Sequence, residues 1–261
     1  MAHAILDQID GLILDMDGVL YRGDEPIGDL GWIFSRLDSL GKPYILATNN
    51  ATRGPQDVAA KLVKMGAKVS AERIINSGMA AAELLRQHFP HGARVHVLGE
   101  VGLRQALETA GFTLTEDAPE AVVVGLDRQI TYQKIGVAAR FIRQGAFFLA
   151  SNPDKTFPAP DGLLPGAGTI IAAVQAASEA EPVYAGKPYP GLYNTAIAML
   201  GCRAERALAV GDRLDTDILG GVNAGCKTAL VLTGVSQRTD LETCPYQPDL
   251  IINTLEDLLK D

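Results

Sequence analysis

Short apolar runs rich in β-branched residues alternate along the chain with stretches whose apolar residues recur every three or four positions. That alternation is the signature of βαβ units, a parallel sheet covered by helices. Gly11 to Leu14 is the first such run and leads into Asp15; after a glycine-rich turn, Leu30, Ile33, Phe34, Leu37 and Leu40 mark a helix over 29–40. Tyr44 to Ala47 is the next strand, and it stops at Thr48-Asn49-Asn50. The helical period resumes over Pro55 to Met65 with Val58, Leu62 and Met65, and closes at Gly66 as a helix C-terminus should.

Farther on, Arg94 to Leu98, Ala121 to Val124 and Ala146 to Ala150 have the continuous apolar character of buried strands, with helices expected near Val101 to Ala110 and Tyr132 to Gln144. These strands either extend the first sheet or form a second. Enough units fall within residues 79–181 for a core of their own. The expected organisation is therefore a core domain over 1–78 and 182–261, with an α/β domain inserted over 79–181. Beyond the insertion, Ala207 to Val210 runs into Gly211-Asp212, Leu214 to Ala224 reads as a helix, and Thr228 to Leu232 and Leu250 to Ile252 read as strands before a terminal helix.

Four apolar runs end in polar residues of different kinds: Asp15, Thr48, Lys187 after Tyr184-Ala185-Gly186, and Asp212. In a doubly wound sheet the carboxyl ends of the strands line the ligand crevice, so these four are expected to converge. Taken singly, each has an ordinary use. Asp15-Met16-Asp17-Gly18 suits a strand-to-turn junction, Thr48 a cap for the helix that starts near Gly54, and Lys187 a solvated loop before Pro188. Asp215 suits the N-terminus of its own helix. Together they suggest more. Two carboxylates a few ångströms apart repel by roughly 4 kcal/mol at an effective dielectric near 20, so a site gathering Asp15, Asp17 and Asp212 needs a cation. All-oxygen ligation points to magnesium, which keeps places for water and phosphate oxygens and makes phosphoryl chemistry the natural use.

Composition narrows the partners. The chain has 261 residues, 47% of them apolar, enough for one or two packed cores. Its 31 acidic and 23 basic side chains give a net charge of −8, which disfavours a nucleic-acid polymer and leaves room for one small anion in a local cationic pocket. The start, Met1 to Asp7, lacks a signal-like cationic flank and apolar run, and no stretch approaches bilayer length, so no membrane partner and a cytoplasmic location are expected. Cys202, Cys226 and Cys244 are odd in number and never spaced Cys-x-x-Cys. Gly166-Ala167-Gly168 has Ile171 where a dinucleotide fingerprint wants glycine, and Gly186-Lys187-Pro188 is not a nucleotide-binding P-loop. His3, His88, His91 and His96 show no metal-binding spacing.

With Asp15-Met16-Asp17-Gly18-Val19-Leu20-Tyr21, Thr48-Asn49-Asn50, Gly186-Lys187-Pro188 and Gly211-Asp212-Arg213-Leu214-Asp215-Thr216-Asp217 in this order, the chain resembles the haloacid dehalogenase superfamily. Within it, the chain looks most like subclass IIA, the NagD and p-nitrophenyl phosphatase-like branch. Val124-Gly125-Leu126-Asp127, Ser151-Asn152-Pro153-Asp154 and Leu232-Thr233-Gly234-Val235 extend the similarity over essentially the whole length.

The resemblance implies a Rossmann-like parallel-sheet core with an inserted α/β cap, and a magnesium-dependent phosphatase acting on a small phosphorylated metabolite. It implies Asp15 as nucleophile forming an aspartyl-phosphate and Asp17 as acid and then base, an acid that favours phosphatase over dehalogenase chemistry. Magnesium would be held by Asp15, the Asp17 backbone carbonyl and Asp212, with Asp217 as an outer orienting group. Thr48, Asn49 and Asn50 would bind the phosphoryl group, and Lys187 would screen Asp15 from it. Asp127, Arg128, Asn152 and Asp154 are implied leaving-group contacts, with loop capping and turn formation as their other uses. Relatives that pair through their caps make a homodimer an expectation. Two other functions stay open: a phosphotransferase using the same intermediate, and a phosphate-ester-binding protein without turnover.

Overall fold

The computed structural model describes residues 4–159 and 162–260, so His3 and the first residues of the chain start fall outside the described residues. In chain order the strands are β1 (Gly11–Leu14), β2 (Tyr21–Arg22), β3 (Glu25–Pro26), β4 (Tyr44–Thr48), β5 (Ile74–Asn76), β6 (Arg94–Leu98), β7 (Thr113–Leu114) and β8 (Ala121–Val124). They continue with β9 (Phe147–Ala150), β10 (Thr156–Ala159), β11 (Gly162–Pro165), β12 (Val183–Tyr184), β13 (Ala207–Gly211), β14 (Lys227–Val231) and β15 (Leu250–Ile252). The α-helices include α1 (Leu30–Ser39), α2 (Pro55–Lys64), α3 (Ser77–His88), α4 (Val101–Thr109), α5 (Tyr132–Arg143) and α6 (Ala167–Ser178).

Two compact units make up the chain. One comprises the residues through Thr48, Pro55–Ile75 and the residues from Lys187 on; the other comprises Asn49–Gly54 and Asn76–Gly186. The first unit carries a six-stranded sheet in the order β15-β14-β13-β1-β4-β5. The β1–β13, β1–β4, β13–β14 and β14–β15 pairs are parallel, with Leu12 opposite Leu208 and Tyr44. From β1 the chain builds outward through β4 and β5 on one side, then returns to lay β13, β14 and β15 on the other. The reversal beside β1 is a topological switch point, where loops at the strand carboxyl ends part and leave a crevice.

Buried strands with apolar residues throughout need cover on both faces, and β1, β4 and β13 are buried at every position. Helix α1 supplies part of that cover. Asp29 caps its N-terminus by accepting a hydrogen bond from Trp32 N at 2.9 Å, and Leu30, Ile33, Phe34 and Leu37 face inward. Leu12, Leu14, Leu46 and Val210 join these residues in one apolar core.

The second unit has its own five-stranded sheet, β12-β9-β8-β6-β7, with parallel pairing. The middle strands therefore form a second sheet rather than extending the first. Val122, Val124 and Phe148 pack there against Phe141 and Ile142 of α5 and Ile170, Ile171 and Val174 of α6. The fold is a mixed α/β architecture with two parallel sheets. Among the described residues no helix is long and apolar enough to cross a membrane.

The segment expected as one helix over 214–224 divides in two. Leu214–Ile218 forms a wide π-helical turn, in which both Asp217 N and Ile218 N donate to Arg213 O, before an α-helical turn over Leu219–Asn223. Such wide turns frequently mark functional positions.

Leu46 is fully buried in β4 between two neighbours. Leu46→Ala should lower unfolding free energy by about 3 kcal/mol, read as a reduced denaturation midpoint with unchanged slope in urea.

Candidate active site

Three adjacent strands of the first sheet, β13, β1 and β4, deliver polar residues at their carboxyl ends. Asp15 follows β1, its amide donating to Val210 O at 2.9 Å; Thr48 is the buried last residue of β4; Asp212 follows β13. Lys187 arrives by another route. The strand that precedes it, β12, belongs to the second unit's sheet, so the expectation that all four sit at strand ends of one sheet is corrected. Lys187 nevertheless belongs to the first unit and reaches the same place as a buried side chain.

The Lys187 ammonium bridges two carboxylates, donating to Asp15 Oδ1 at 2.5 Å and to Asp217 Oδ1 at 2.8 Å. Its side chain is 3% exposed, against 12% for Asp15 and 4% for Asp217. Burial alone would lower the Lys187 pKa, but the Asp15 and Asp217 carboxylates outweigh it and hold the group well above the ordinary lysine value.

The Asp217 carboxylate joins those of Asp15 and Asp212 in a group with one oxygen from each within 4.8 Å of the others. The wide turn explains its aim: Asp217 Oδ2 accepts from Arg213 N at 3.1 Å, folding the carboxylate back toward Lys187. Tyr193, wholly enclosed, holds the same residue from below, its hydroxyl donating to Asp217 O at 3.0 Å. No pattern in the sequence pointed to that tyrosine.

Asp212 is fixed by the segment Leu232–Val235, for which the sequence suggested no role. Val235 N donates to Asp212 Oδ2 at 2.7 Å, and Ser236 N to Asp212 O at 3.0 Å. The approach is so close that a Cβ at Gly18 or Gly234 would overlap the Asp212 carboxylate. Gly18 also has φ +80°, which favours glycine. Burial first, and the Asp217 carboxylate second, push Asp212 up to about 7.

Asp17 stands apart from this group and is exposed. The enclosing structure nevertheless raises its carboxyl above the usual range by desolvation, opposed by the Lys61 and Lys187 ammonium groups. Gly18 N donates to Tyr21 O at 2.8 Å, which turns the chain from Asp17 into the β2–β3 hairpin.

The remaining sequence-derived residues lie in the second unit. Asn49 Nδ2 donates to Asp154 Oδ2 at 3.0 Å; Asn50 Oδ1 accepts from Thr52 N and Oγ1 at 3.0 and 2.7 Å. Asn152 is buried, and its Nδ2 donates to Asn49 O at 2.8 Å. Asp127 accepts from Lys134 Nζ at 2.7 Å and from Gln129 N at 2.9 Å, while Arg128 grips Glu100 with two bonds of 2.6 Å. Asn50 and Asp127 organise their own loops, whereas the Asn49, Asn152 and Arg128 bonds tie segments distant in sequence to one another.

A buried set of oxygen donors around one ammonium matches a hard divalent cation in chemistry, because one positive charge among three carboxylates leaves an excess of two negative charges. The arrangement also offers a carboxylate oxygen as a nucleophile at a strand end where small ligands bind.

Comparison with known proteins points the same way. A family model described as haloacid dehalogenase-like hydrolase matches residues 12–113, and another described as HAD-hydrolase-like matches residues 184–258. The chain is 38% identical to the dihydroxyacetone phosphatase of Corynebacterium glutamicum over 246 residues, 94% of this chain and 89% of that protein. It is 38% identical to the 5'-nucleotidase YutF of Bacillus subtilis over 245 residues, 94% and 95% of the two chains. The solved 4-nitrophenylphosphatase of Thermotoga maritima superposes with a TM-score of 0.93 at 36% identity, with 99% of each chain covered.

The raised Asp212 has a consequence for the chelator-treated protein. A folded-state value of about 7 against the ordinary 3.8 means that the native state binds this proton more tightly than the unfolded state. Stability from this group is full below about pH 4 and is lost as pH rises through 7. In EDTA, Asp212→Asn should therefore gain on wild type across that window and level off above it, by on the order of a few kcal/mol. Thermal unfolding of both proteins from pH 4 to pH 8.5 reads this difference.

Proposed function

The chain belongs to the haloacid dehalogenase-like hydrolase family and is a phosphoric monoester hydrolase, and we propose that it works by moving a phosphoryl group first to Asp15 and then to water. The observation that carries this reading is the Lys187 bridge at the switch point: burial pushes the Asp15 carboxyl well above its ordinary value, and the ammonium opposes that shift where a phosphate ester can be attacked.

In the first half-reaction, an Asp15 oxygen attacks phosphorus, the bond to the ester oxygen breaks, and the leaving alcohol takes a proton from the Asp17 carboxyl. In the second, water attacks the aspartyl-phosphate, Asp17 takes the proton from that water, and the Asp15–phosphorus bond breaks to release inorganic phosphate. Asp17's exposed position and raised pKa suit a group that must hold a proton, give it away and recover one. Lys187 screens Asp15 from the phosphoryl oxygens, and Thr48 donates to one of them. Asn49 and Asn50 complete the loop that receives the phosphoryl group.

Asp15, Asp212 and the Asp17 backbone carbonyl would hold magnesium, which when bound offsets the excess carboxylate charge and draws density from the phosphoryl oxygens. Asp217 orients Lys187 and completes the acidic surroundings.

The substrate is a small phosphorylated metabolite, of the kind named for the sugar phosphate and nucleotide phosphatases among the relatives. Asp127 and Asn152 would meet its leaving group through the loops they organise. The enzyme would act in the cytoplasm, as a homodimer.

Asp15→Asn should abolish phosphate release from p-nitrophenyl phosphate while leaving the thermal midpoint within a few degrees of wild type. Asp17→Asn should lower turnover by about 10²- to 10⁴-fold and accumulate protein carrying one phosphoryl group, visible by intact mass spectrometry. A separate check is removal of divalent metal: EDTA should stop turnover, and added magnesium should restore it.

A further inference from the structure

Between Asp17 and α1 the chain forms the two-stranded β2–β3 hairpin, with Tyr21 paired to Pro26 and Arg22 to Glu25. A hairpin of two residues per strand has little stability of its own and must be fastened from outside. One fastening runs to the Asp212 side: Arg22 Nη2 donates to Thr233 O, and Thr233 Oγ1 donates to Gly18 O at 2.6 Å. The other runs to α2, through a single side chain.

Lys61, in the last turn of α2, donates from Nζ to Gly23 O at 2.6 Å at the hairpin's tip. The same ammonium lies 4.0 Å from the centre of the Tyr21 ring and 3.6 Å from Asp24 Oδ1. Asp24 is almost fully exposed, so that ion pair is screened and weak. The carbonyl bond and the ring contact are different. Tyr21 is 5% exposed, and the Lys61 side chain is only 29% exposed, so the cation meets the ring with much of its water removed.

Tyr21 is the residue that ties the hairpin to the catalytic loop. It bridges Asp17 by backbone pairing, and its carbonyl accepts from Gly18 N. We infer that Lys61 is a positioning residue for the reaction: by clamping the Tyr21 ring and the Gly23 carbonyl together, it fixes the backbone from which Asp17 projects. This inference rests on the proposed role of Asp17 and adds to it a residue some forty positions away, on an element that contributes no group to the carboxylate site.

A misplaced proton donor slows chemistry far more than it weakens binding, because ground-state contacts with the phosphoryl group survive while the aligned transfer does not. Lys61→Met keeps the length and the apolar stem and removes the ammonium; Lys61→Arg keeps a cation and its donors; Lys61→Gln keeps a neutral donor for Gly23 O. With p-nitrophenyl phosphate and with an alkyl phosphate, Lys61→Met should lose about tenfold or more in kcat while KM stays within about twofold. Lys61→Arg should recover most of the loss, and Lys61→Gln should fall between. In hydrogen exchange without substrate, residues 17–27 of Lys61→Met should take up deuterium faster than wild type, with the peptides of β13 and β14 unchanged.

Wild-type kcat in Lys61→Met overturns the inference, as does unchanged exchange over 17–27. So does a loss of kcat that arginine fails to rescue and that tracks a fall in thermal midpoint across all three variants. Asp15→Asn, run beside them, separates the two levels of the argument. If it retains turnover, the proposed mechanism itself falls; if it is inactive and Lys61→Met is unimpaired, only the role of Lys61 falls.

Discussion

One ammonium among three buried carboxylates is the constraint around which the first unit is arranged. Lys187 can satisfy Asp15 and Asp217 at once, and it does, but Asp212 is left with a backbone amide and the repulsion of its neighbours. Such a cluster is costly in a protein interior, because each carboxylate gives up water and gains a like charge beside it. A fold keeps an arrangement of this kind only when its surroundings hold the groups in place. Here the holding elements are a parallel sheet, a wide turn at Leu214–Ile218, an enclosed tyrosine and glycines that leave room for a carboxylate. The residual negative charge of this cluster is compatible in chemistry with a hard divalent cation.

Much of this was legible because the strands that build the site are uniformly apolar. Gly11–Leu14, Tyr44–Thr48 and Ala207–Gly211 are buried at every position, so each run ends abruptly at a polar residue, and the change of character marks the carboxyl end. Periodicity placed α1, α2, α4 and α5 to within a residue or two at each end, as amphipathic helices allow. Lys187 pairs with Asp15, but the strand before it does not end in the same sheet as the strand before Asp15. A two-residue strand such as β12 carries no information about which sheet it joins.

Local pattern could not show the remaining features, since each depends on atoms distant in sequence. Val235 grips Asp212 from 23 positions away, and Tyr193 reaches Asp217 from 24. The wide turn at Leu214–Ile218 has the same apolar spacing as the start of an ordinary helix; one added residue per turn alters the aim of Asp217 without altering the pattern. The β2–β3 hairpin was passed over for a related reason, being too short for alternation to register. Its Gly23-Asp24 turn signal was present in the sequence, but only the structure shows what fastens it.

The two aspartates of the Asp-Met-Asp-Gly segment sit in opposed settings, and the contrast follows from what the proposed reaction asks of each. A nucleophile is useful only as an anion, so Asp15 is paired with an ammonium that favours the ionised form against the burial and neighbouring carboxylates that disfavour it. An acid that must also serve as a base needs access to leaving group and water, so Asp17 is exposed. A single residue separates these environments, which places an unusual demand on the backbone between them. Met16 answers part of it: its side chain is buried in the core, and its carbonyl accepts from Leu20 N at 2.8 Å, closing a tight turn that throws Asp17 outward. The positive φ of Gly18 then lets the chain pass beneath the Asp212 carboxylate. Sequence spacing, a core methionine and one left-handed glycine thus place two copies of a single side chain, one residue apart, in different surroundings.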